Sequence, residues 1–174
     1  MSQEPAQQKS HTAPPHRHRV LLIGLLTLTL LVPLMIYRSW SSPPPGNLGI
    51  HDGQLSPCPS SPNCVCSQAV DPDHAIAAIP LSTNRQRQWK ALQQILDQQP
   101  RATLVTVSDD YLHAEFRSLV FRFVDDVEFL IDANAQVIHV RSASRTGYSD
   151  LGVNRARVEH LRQALEQAMT ASSD

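Results

Sequence analysis

The C-terminal half of the chain repeats its apolar side chains at helical spacing, then at strand spacing, then at helical spacing again. That order of periods constrains the fold more than any other feature of the sequence. Residues 84–99, with Asn84 as the cap, form the first helical pattern, which stops at Pro100. Four β-like runs follow: residues 102–107, 111–118, 121–131 and 136–142. A second amphipathic helix is predicted to begin near Val153 or Asn154.

This order predicts an α+β fold, a two-layer sandwich in which a four-stranded antiparallel sheet is flanked by an N-terminal and a C-terminal helix. Both helices would cover one face of the sheet, and the other face would be exposed to solvent. Because side chains alternate along a strand, one set of polar side chains is assigned to that exposed face. The set is His113, Glu115, Arg117, Glu128, His139 and Arg141. A register error of one residue would exchange the two faces.

An uncharged apolar run, residues 20–37, precedes the folded part. As a helix, its eighteen residues would extend about 27 Å, just enough to cross the hydrocarbon core of a bilayer. Three basic residues lie before the run and only Arg38 directly follows it. The positive-inside rule therefore predicts a cytoplasmic N-terminus and a domain on the far side of the membrane. A signal peptide that is cleaved near Ser39 is the alternative.

Composition divides the chain into four predicted segments. Residues 1–19 contain too few apolar side chains to fold and are predicted to be a disordered cytoplasmic tail. Residues 20–37 are the predicted transmembrane anchor. Residues 38–54, rich in Pro, Gly and Ser, are predicted to be an extended linker that cannot build a core. Residues 55–171 are the predicted globular domain, which would lie in the periplasm or an equivalent lumen.

The folded part carries a mild negative charge, since residues 51–174 contain eleven Lys and Arg against fifteen Asp and Glu. Proteins that bind a phosphate backbone need a basic surface. The charge balance therefore disfavours nucleic acid as a partner. The expected partners are the membrane, reached through residues 20–37, and a small anionic ligand.

Three cysteines lie close together at Cys58, Cys64 and Cys66. Export to an oxidising compartment makes a disulfide the first expectation. The two prolines between Cys58 and Cys64 favour a turn that brings these residues into bonding range, whereas Cys64 and Cys66 would close a strained ring. Cys66 would then be a buried small hydrophobe, an exchange-active thiol, or a metal ligand together with His51 or His74.

The segment 138–165 passes from a strand through an Arg- and Ser-rich turn into a helix, a geometry that suits an anion. Arginine would donate paired hydrogen bonds, and hydroxyls and helix N–H groups would add further donors. The candidate ligand-binding residues are Arg141, Ser142, Ser144, Arg145, Tyr148 and Asn154. In the structural alternative, aspartates neutralise both arginines and fix the turn. The aspartates available are Asp125, Asp126 and Asp150.

Other chemistries have weaker signals in the sequence. Asp125, Asp126 and Glu128 suggest an acid–base pair or a cation site, but adjacent strand residues face opposite ways, so a bulge would be needed. His113 and His139 would allow a metal pair if they are neighbours. A Ser/His/Asp hydrolase would need a G-x-S-x-G turn, which the sequence lacks. No catalytic residue, metal or cofactor is therefore assigned.

The chain contains four motifs in order: CPSSPNCVCSQA at 58–69, YLHAEFRS at 111–118, FRFVDDVEFLID at 121–132 and IHVRSASRTGYSDLGVNRARVE at 138–159. Together they resemble the domain-of-unknown-function family 1499. The resemblance implies one compact exported domain and assigns it no activity. Many members of that family have Ser where this chain has Cys66, which leaves the role of the third thiol open.

These observations lead us to expect a membrane-anchored extracytoplasmic domain without enzymatic activity. It would bind an anionic ligand or a partner in envelope or membrane-complex maintenance. One alternative is an enzyme that holds its substrate with Arg141 and Arg145 and uses Asp125 or Asp126 as a base. Another alternative is a thiol redox or metal-handling protein centred on residues 64–66.

Overall fold

The computed structural model describes residues 16–40 and 42–171. The chain divides into two compact units between Met35 and Ile36. In chain order, the elements are α1 (His16–Trp40), β1 (Ile50–His51), β2 (Gln54–Leu55), β3 (Cys64–Cys66), β4 (Ile79–Pro80), α2 (Arg85–Gln98), β5 (Ala102–Val107), β6 (Tyr111–Arg117), β7 (Val124–Asp132), β8 (Val137–Ser144) and α3 (Val153–Thr170).

Helix α1 contains the whole apolar run, residues 20–37, and has Pro33 inside it. It begins at His16, so the last residues of the predicted disordered tail are helical, while residues 1–15 of that tail lie outside the described part of the chain. Among the described residues, no helix combines the length and the apolarity that crossing a membrane requires.

The α+β prediction is confirmed, and the four predicted strands form antiparallel neighbours in the order β5, β6, β7 and β8. The predicted count of four strands is wrong, because the sheet has six. Strands β3 and β4 both pair with β8. They have only three and two residues, which is too short for an alternation to be visible in the sequence. Their hydrogen bonds to β8, rather than their own periodicity, make them strands.

Helices α2 and α3 cover one face of the sheet and form the main core with it. The side chain of Asn84 accepts a hydrogen bond from the Arg87 N–H and caps α2, as the sequence predicts. The least exposed core side chains come from both helices and from the central strands. They include Leu92, Leu96, Phe129, Ile138, Leu161 and Leu165. The apolar stripes of the two helical patterns therefore fill the layer between helices and sheet.

The prediction that the opposite face of the sheet is exposed is wrong. Alternation groups its side chains correctly, since His113, Glu128 and Arg141 are cross-strand neighbours on β6, β7 and β8. They are nevertheless buried, with 3%, 0% and 3% of their surfaces exposed. We call this surface the polar face. A segment that we call the strap, residues 42–55, covers it and accounts for the burial.

The strap includes most of the predicted linker and is attached to the polar face at three levels. Near its start, the Ser42 carbonyl oxygen accepts a hydrogen bond from Nη1 of Arg145 at 2.9 Å. In its middle, the Gly49 N–H donates to Oε1 of Glu128 at 2.8 Å. At its end, the hairpin of β1 and β2 brings an apolar side chain into a small second core. That core consists of Leu55, Tyr111 and Leu130.

Candidate anion-binding pocket

Cys58 and Cys64 form the disulfide that the sequence predicts, with their Cα atoms 5.6 Å apart. Cys66 keeps a free thiol that is 1% exposed. Burial raises the pKa of this thiol above its ordinary value, so little thiolate forms at neutral pH. These properties favour a buried small hydrophobe over an exchange-active thiol. The described residues also contain no group of three or more His, Cys, Asp or Glu side chains that could hold a metal ion.

The structure divides the predicted ligand-binding residues between the two faces of the sheet. Ser142, Ser144 and Asn154 lie on the helix side, where they join β8 to the start of α3. Ser142 Oγ donates to Asn154 Oδ1 at 2.6 Å, and Asn154 Nδ2 donates to Ser144 Oγ at 3.0 Å. Arg141 and Arg145 contact carboxylates of the polar face instead. The six predicted residues are therefore not all brought together, although three of them, Arg141, Ser144 and Arg145, line one cavity.

The opening turn of α3 is already occupied by a carboxylate of the chain itself. Asp150 accepts hydrogen bonds from the Asn154 N–H at 2.7 Å and from the Gly152 N–H at 3.1 Å. An acidic side chain at this position satisfies the helix N–H groups and interacts favourably with the helix dipole. Tyr148 points away from this network, since 76% of its surface is exposed. An external anion would have to displace Asp150 to bind at the helix opening.

Arg145 has an acceptor for each of its three nitrogens. Nε and Nη2 donate to the two carboxylate oxygens of Asp126 at 2.8 and 2.7 Å, which makes a bidentate pair. Nη2 also donates to Glu115, and Nη1 donates to the Ser42 carbonyl oxygen. The hydrogen bonds to Asp126 raise the pKa of Arg145 above its ordinary value and outweigh the effect of burial. The pair of Arg145 with Asp126 is the one that the structural alternative predicts, whereas Arg141 pairs with Glu128, which that alternative did not name.

Asp126 is held as a carboxylate and is separated from its neighbour Asp125. Burial alone would raise the pKa of Asp126, but hydrogen bonds from Arg145 and from His113, at 2.7 Å, outweigh it and lower the pKa. Asp125 faces the helices and accepts a hydrogen bond from Nη2 of Arg157 at 2.5 Å. The register of β7 is continuous through both aspartates, so they do not share a site. A carboxylate with a lowered pKa and two donors is poorly suited to act as a base.

Glu128 is the most deeply buried charge of the polar face, with 0% of its surface exposed. Its Oε1 accepts from the Tyr111 hydroxyl at 2.7 Å and from the Gly49 N–H at 2.8 Å. Its Oε2 accepts from Nη1 of Arg141 at 2.9 Å. Burial and the nearby Glu128 charge raise the pKa of Tyr111, so that this residue remains a hydroxyl donor. Three donors therefore satisfy this buried carboxylate.

Arg141 differs from Arg145 because one of its buried donors is unused. Its side chain is 4% exposed and pairs with Glu128 through Nη1 alone. The Nε atom of Arg141 is buried and has no hydrogen-bond partner within the described part of the chain. Leaving a buried donor without an acceptor costs about 1–3 kcal/mol, and more for a charged group. No acceptor within the described part of the chain offsets that cost.

A cavity of about 370 Å³, which we call the strap pocket, lies against both arginines. Its volume is within the range of pockets that bind small organic ligands. The strap and the disulfide loop form its walls, and β8 with its neighbours forms its floor. The lining residues are Pro45, Asn47, Pro57, Cys58, Pro59, Asp126, Arg141, Ala143, Ser144 and Arg145. Two guanidinium groups and one carboxylate therefore line this cavity, and each guanidinium group is paired with at least one carboxylate.

His113 and His139 do not form the metal pair considered from the sequence. They lie on β6 and β8, with β7 between them. His113 is hydrogen-bonded to Asp126, whereas Nδ1 of His139 lies 3.1 Å from Oγ of Ser67. Each histidine therefore has its own partner on a different strand or loop.

Three parts of this site were not predicted from the sequence. Tyr111 belongs to the polar face by alternation with His113, so a signal for it was present. The contacts of Gly49 and Ser42 use backbone groups, which every residue offers and no pattern marks. No side-chain pattern in the sequence could therefore have predicted that residues of the strap contribute to the site.

The comparison with protein families agrees with the motifs. The family model described as "Protein of unknown function (DUF1499)" matches residues 54–165. This range includes the disulfide, the six-stranded sheet, both arginines of the strap pocket and most of α3, but little of the strap. No curated protein matches the chain. The chain therefore belongs to the DUF1499 family of proteins of unknown function.

Proposed function

We propose that this chain is a membrane-attached, extracytoplasmic domain that binds a small anion in the strap pocket and acts by binding rather than by catalysis. The observation that carries the proposal is the buried Nε of Arg141, which lacks a partner among the described residues and belongs to a side chain that lines the cavity. Buried donors in folded proteins nearly always have an acceptor. An acceptor atom of a ligand would complete the hydrogen bonding of Arg141.

The charges around the pocket favour a small monoanion such as a carboxylate. Arg145 is already neutralised by Asp126, and Arg141 shares its charge with Glu128. A dianion would need more compensating charge than these pairs leave, because burying an unpaired charge is costly. A carboxylate can accept from Arg141 with one oxygen and places only one charge in the cavity.

Binding without catalysis is supported by the hydrogen bonds that the two candidate bases already accept. The candidate base Asp126 has a lowered pKa and accepts from both Arg145 and His113. The other candidate, Asp125, lies on the opposite face of the sheet and pairs with Arg157. An enzyme that used either aspartate as a base would first have to break these pairs.

The location outside the cytoplasm is supported by two features of the chain. A disulfide such as Cys58–Cys64 persists in oxidising compartments and is rare in the cytosol. The apolar residues 20–37 follow a basic N-terminal flank, which is the arrangement that directs the following domain across a membrane. A ligand-binding domain attached at that place would serve in envelope or membrane-complex maintenance.

The anion proposal is tested by thermal unfolding of the full chain in detergent, with sodium acetate, sodium sulfate and sodium phosphate compared at constant ionic strength. We expect acetate to raise the Tm most, because a ligand that binds only the folded state stabilises it. The variant Arg141→Lys keeps a charge beside Glu128 but loses the Nε donor. Its affinity for acetate should fall about tenfold or more, since a hydrogen bond to a charged group contributes about 1.5–3 kcal/mol.

The matched control is Arg117→Lys, on the same face of the sheet but outside the residues that line the pocket. It should respond to acetate as the native chain does. If Arg141→Lys is stabilised by acetate as strongly as the native chain, or if acetate stabilises neither, the pocket does not bind anions through Arg141 and the proposal fails.

A further inference from the structure

Two loops leave the sheet at the same end. The turn of residues 118–123 joins β6 to β7, and the segment 145–152 joins β8 to α3. They are adjacent, because the Arg145 N–H donates to the Val124 carbonyl oxygen at 2.9 Å. We call these two loops together the loop end of the domain.

The loop end exposes an unusual number of apolar side chains. They are Leu119 at 71%, Val120 at 65%, Phe121 at 39%, Tyr148 at 76% and Leu151 at 94% exposure. Single exposed apolar residues are common on soluble domains, but groups of them on neighbouring loops mark interaction surfaces. Phe121 also stacks on Phe123, with ring centroids 5.5 Å apart, which stiffens the turn.

Basic side chains flank these apolar residues. Arg101 lies next to the turn, since its carbonyl oxygen accepts from the Arg117 N–H at 3.1 Å, and Arg122 lies within the turn itself. Neither Arg101 nor Arg122 takes part in an ion pair with another described residue. The Nε atom of Arg122 also has no hydrogen-bond acceptor among the described residues. Apolar tips beside uncompensated arginines are typical of surfaces that bind anionic phospholipids.

The chain enters the domain at this same end. Ser42 is bound to Arg145, the first residue of the second loop. Only four residues lie between Ser42 and the last residue of the apolar run 20–37, and the five Cα–Cα steps of this segment span at most about 18 Å. Any membrane that holds residues 20–37 would therefore lie close to the loop end.

We propose that the loop end docks on the surface of a bilayer rich in anionic phospholipids. Leu119, Val120 and Phe121 enter the boundary between headgroups and acyl chains, while Arg101 and Arg122 contact lipid phosphates. The proposal rests on the membrane attachment through residues 20–37 that is part of the proposed function. It goes beyond that attachment, because it fixes which side of the domain faces the lipid.

The test places an indole at the loop end with Leu119→Trp in the full chain, reconstituted in vesicles of phosphatidylglycerol and phosphatidylcholine with brominated acyl chains. The matched control is Ala135→Trp, because Ala135 is exposed in the turn between β7 and β8 at the opposite end of the sheet. The fluorescence of the parent chain, with Trp40 and Trp89, is subtracted from both. We expect the added indole of Leu119→Trp to be quenched and blue-shifted and that of Ala135→Trp to be unaffected.

A third variant, Leu119→Trp with Arg122→Glu, tests whether docking depends on the negative charge of the lipid headgroups. The quenching of its added indole should be mostly lost. Flotation of the vesicles reports attachment separately from docking. A chain that floats while Leu119→Trp is unquenched, or quenched no more than Ala135→Trp, would show that the loop end serves something other than lipid, such as a protein partner, and would overturn the inference. A chain that does not float would overturn the membrane attachment itself and this inference with it.

Discussion

Arg141 and Arg145 lie four residues apart on the polar face, and their surroundings give them different roles. Arg145 donates to Asp126, Glu115 and the strap, so its hydrogen bonds hold three parts of the fold together. Arg141 pairs with one carboxylate and keeps a buried Nε that no described residue accepts from. At the scale of single residues, both arginines are therefore ion-paired, and anion binding stays a prediction for Arg141, whose Nε has no acceptor among the described residues.

Asp126→Asn should strongly destabilise the fold at neutral pH. The carboxylate is 1% exposed and accepts from both Arg145 and His113, so its loss breaks the bidentate pair and leaves Arg145 with Glu115 as its remaining carboxylate partner. Breaking a buried pair by removing one partner costs about 3–5 kcal/mol. The free energy of unfolding at pH 7, measured with urea, should fall by about that amount. The exposed Asp97→Asn serves as the control and should change it by less than about 0.5 kcal/mol.

Asp126→Asn should also change how the free energy of unfolding depends on pH in the acidic range. The pKa of Asp126 is lower in the folded chain than its ordinary value. Its contribution to stability is therefore complete above about pH 4, the ordinary pKa of Asp, and is lost as the pH falls below that value. The native chain should lose stability over this range, and Asp126→Asn should lose less. If the free energy of unfolding falls equally steeply with decreasing pH in both chains, the role given to Asp126 is contradicted.

Among the elements, the strap departs most from what its composition predicts. It is rich in Pro, Gly and Ser, yet it covers the polar face and walls the pocket. Its attachments to Arg145 and Glu128 use a carbonyl oxygen and an N–H group of the backbone. Such contacts need a particular path of the chain but no particular side chain.

Gly49→Ala should therefore destabilise the strap through its backbone. Gly49 has a φ of 98°, a region that residues with a Cβ rarely adopt, and its N–H binds Glu128. We expect a loss of about 1 kcal/mol or more in the free energy of unfolding, with a weaker stabilisation by acetate because the strap walls the pocket. Urea unfolding with and without acetate measures both effects.

Gly46→Ala is the matched control in the same strap, because Gly46 lies outside the positive range of φ and a Cβ there meets nothing within 4 Å. It should leave stability and the acetate response unchanged or slightly improved. Equal effects of the two substitutions would mean that the backbone conformation at Gly49 contributes neither to the stability of the fold nor to acetate binding.

The long elements could be predicted from the sequence and the short ones could not. Periodicity located β5 to β8 and both packing helices, and the two prolines of the disulfide loop indicated the pairing of Cys58 with Cys64. Strands β3 and β4 depend on the edge of β8 and left no pattern of their own. The alternation that separates Asp125 from Asp126 also separates Arg141 from Ser142, so the division of the predicted site between two faces was already present in the sequence.

At the scale of the whole molecule, the oxidation state of the cysteines reports where the domain folds. In denatured native chain without reductant, only Cys66 should react with a maleimide reagent, and all three cysteines should react after reduction. In a variant of the same chain with Leu25→Arg and Leu28→Arg, we expect all three cysteines to react without reduction. Each arginine at the centre of a membrane segment costs about 2.5–3.5 kcal/mol, so the domain would stay in the reducing cytosol.

The gel shift that a heavy maleimide reagent produces counts the reactive thiols in both chains. If three thiols of the native chain react without reduction, the disulfide does not form in the cell and the domain is not in an oxidising compartment. If the native chain and the double arginine variant both show one reactive thiol, residues 20–37 do not direct the domain to that compartment.

The most direct test of the strap pocket is an NMR titration that follows the side-chain Nε–H signals of the arginines while sodium acetate is added to the full chain in detergent. Spectra of Arg141→Lys and Arg145→Lys assign the two signals. The unpaired Nε of Arg141 predicts a signal that shifts and saturates with acetate, while the signal of Arg145, already bound to Asp126, stays in place. If the Arg141 signal does not move at acetate concentrations that raise the Tm, acetate does not bind at Nε of Arg141 and the role proposed for the strap pocket is contradicted.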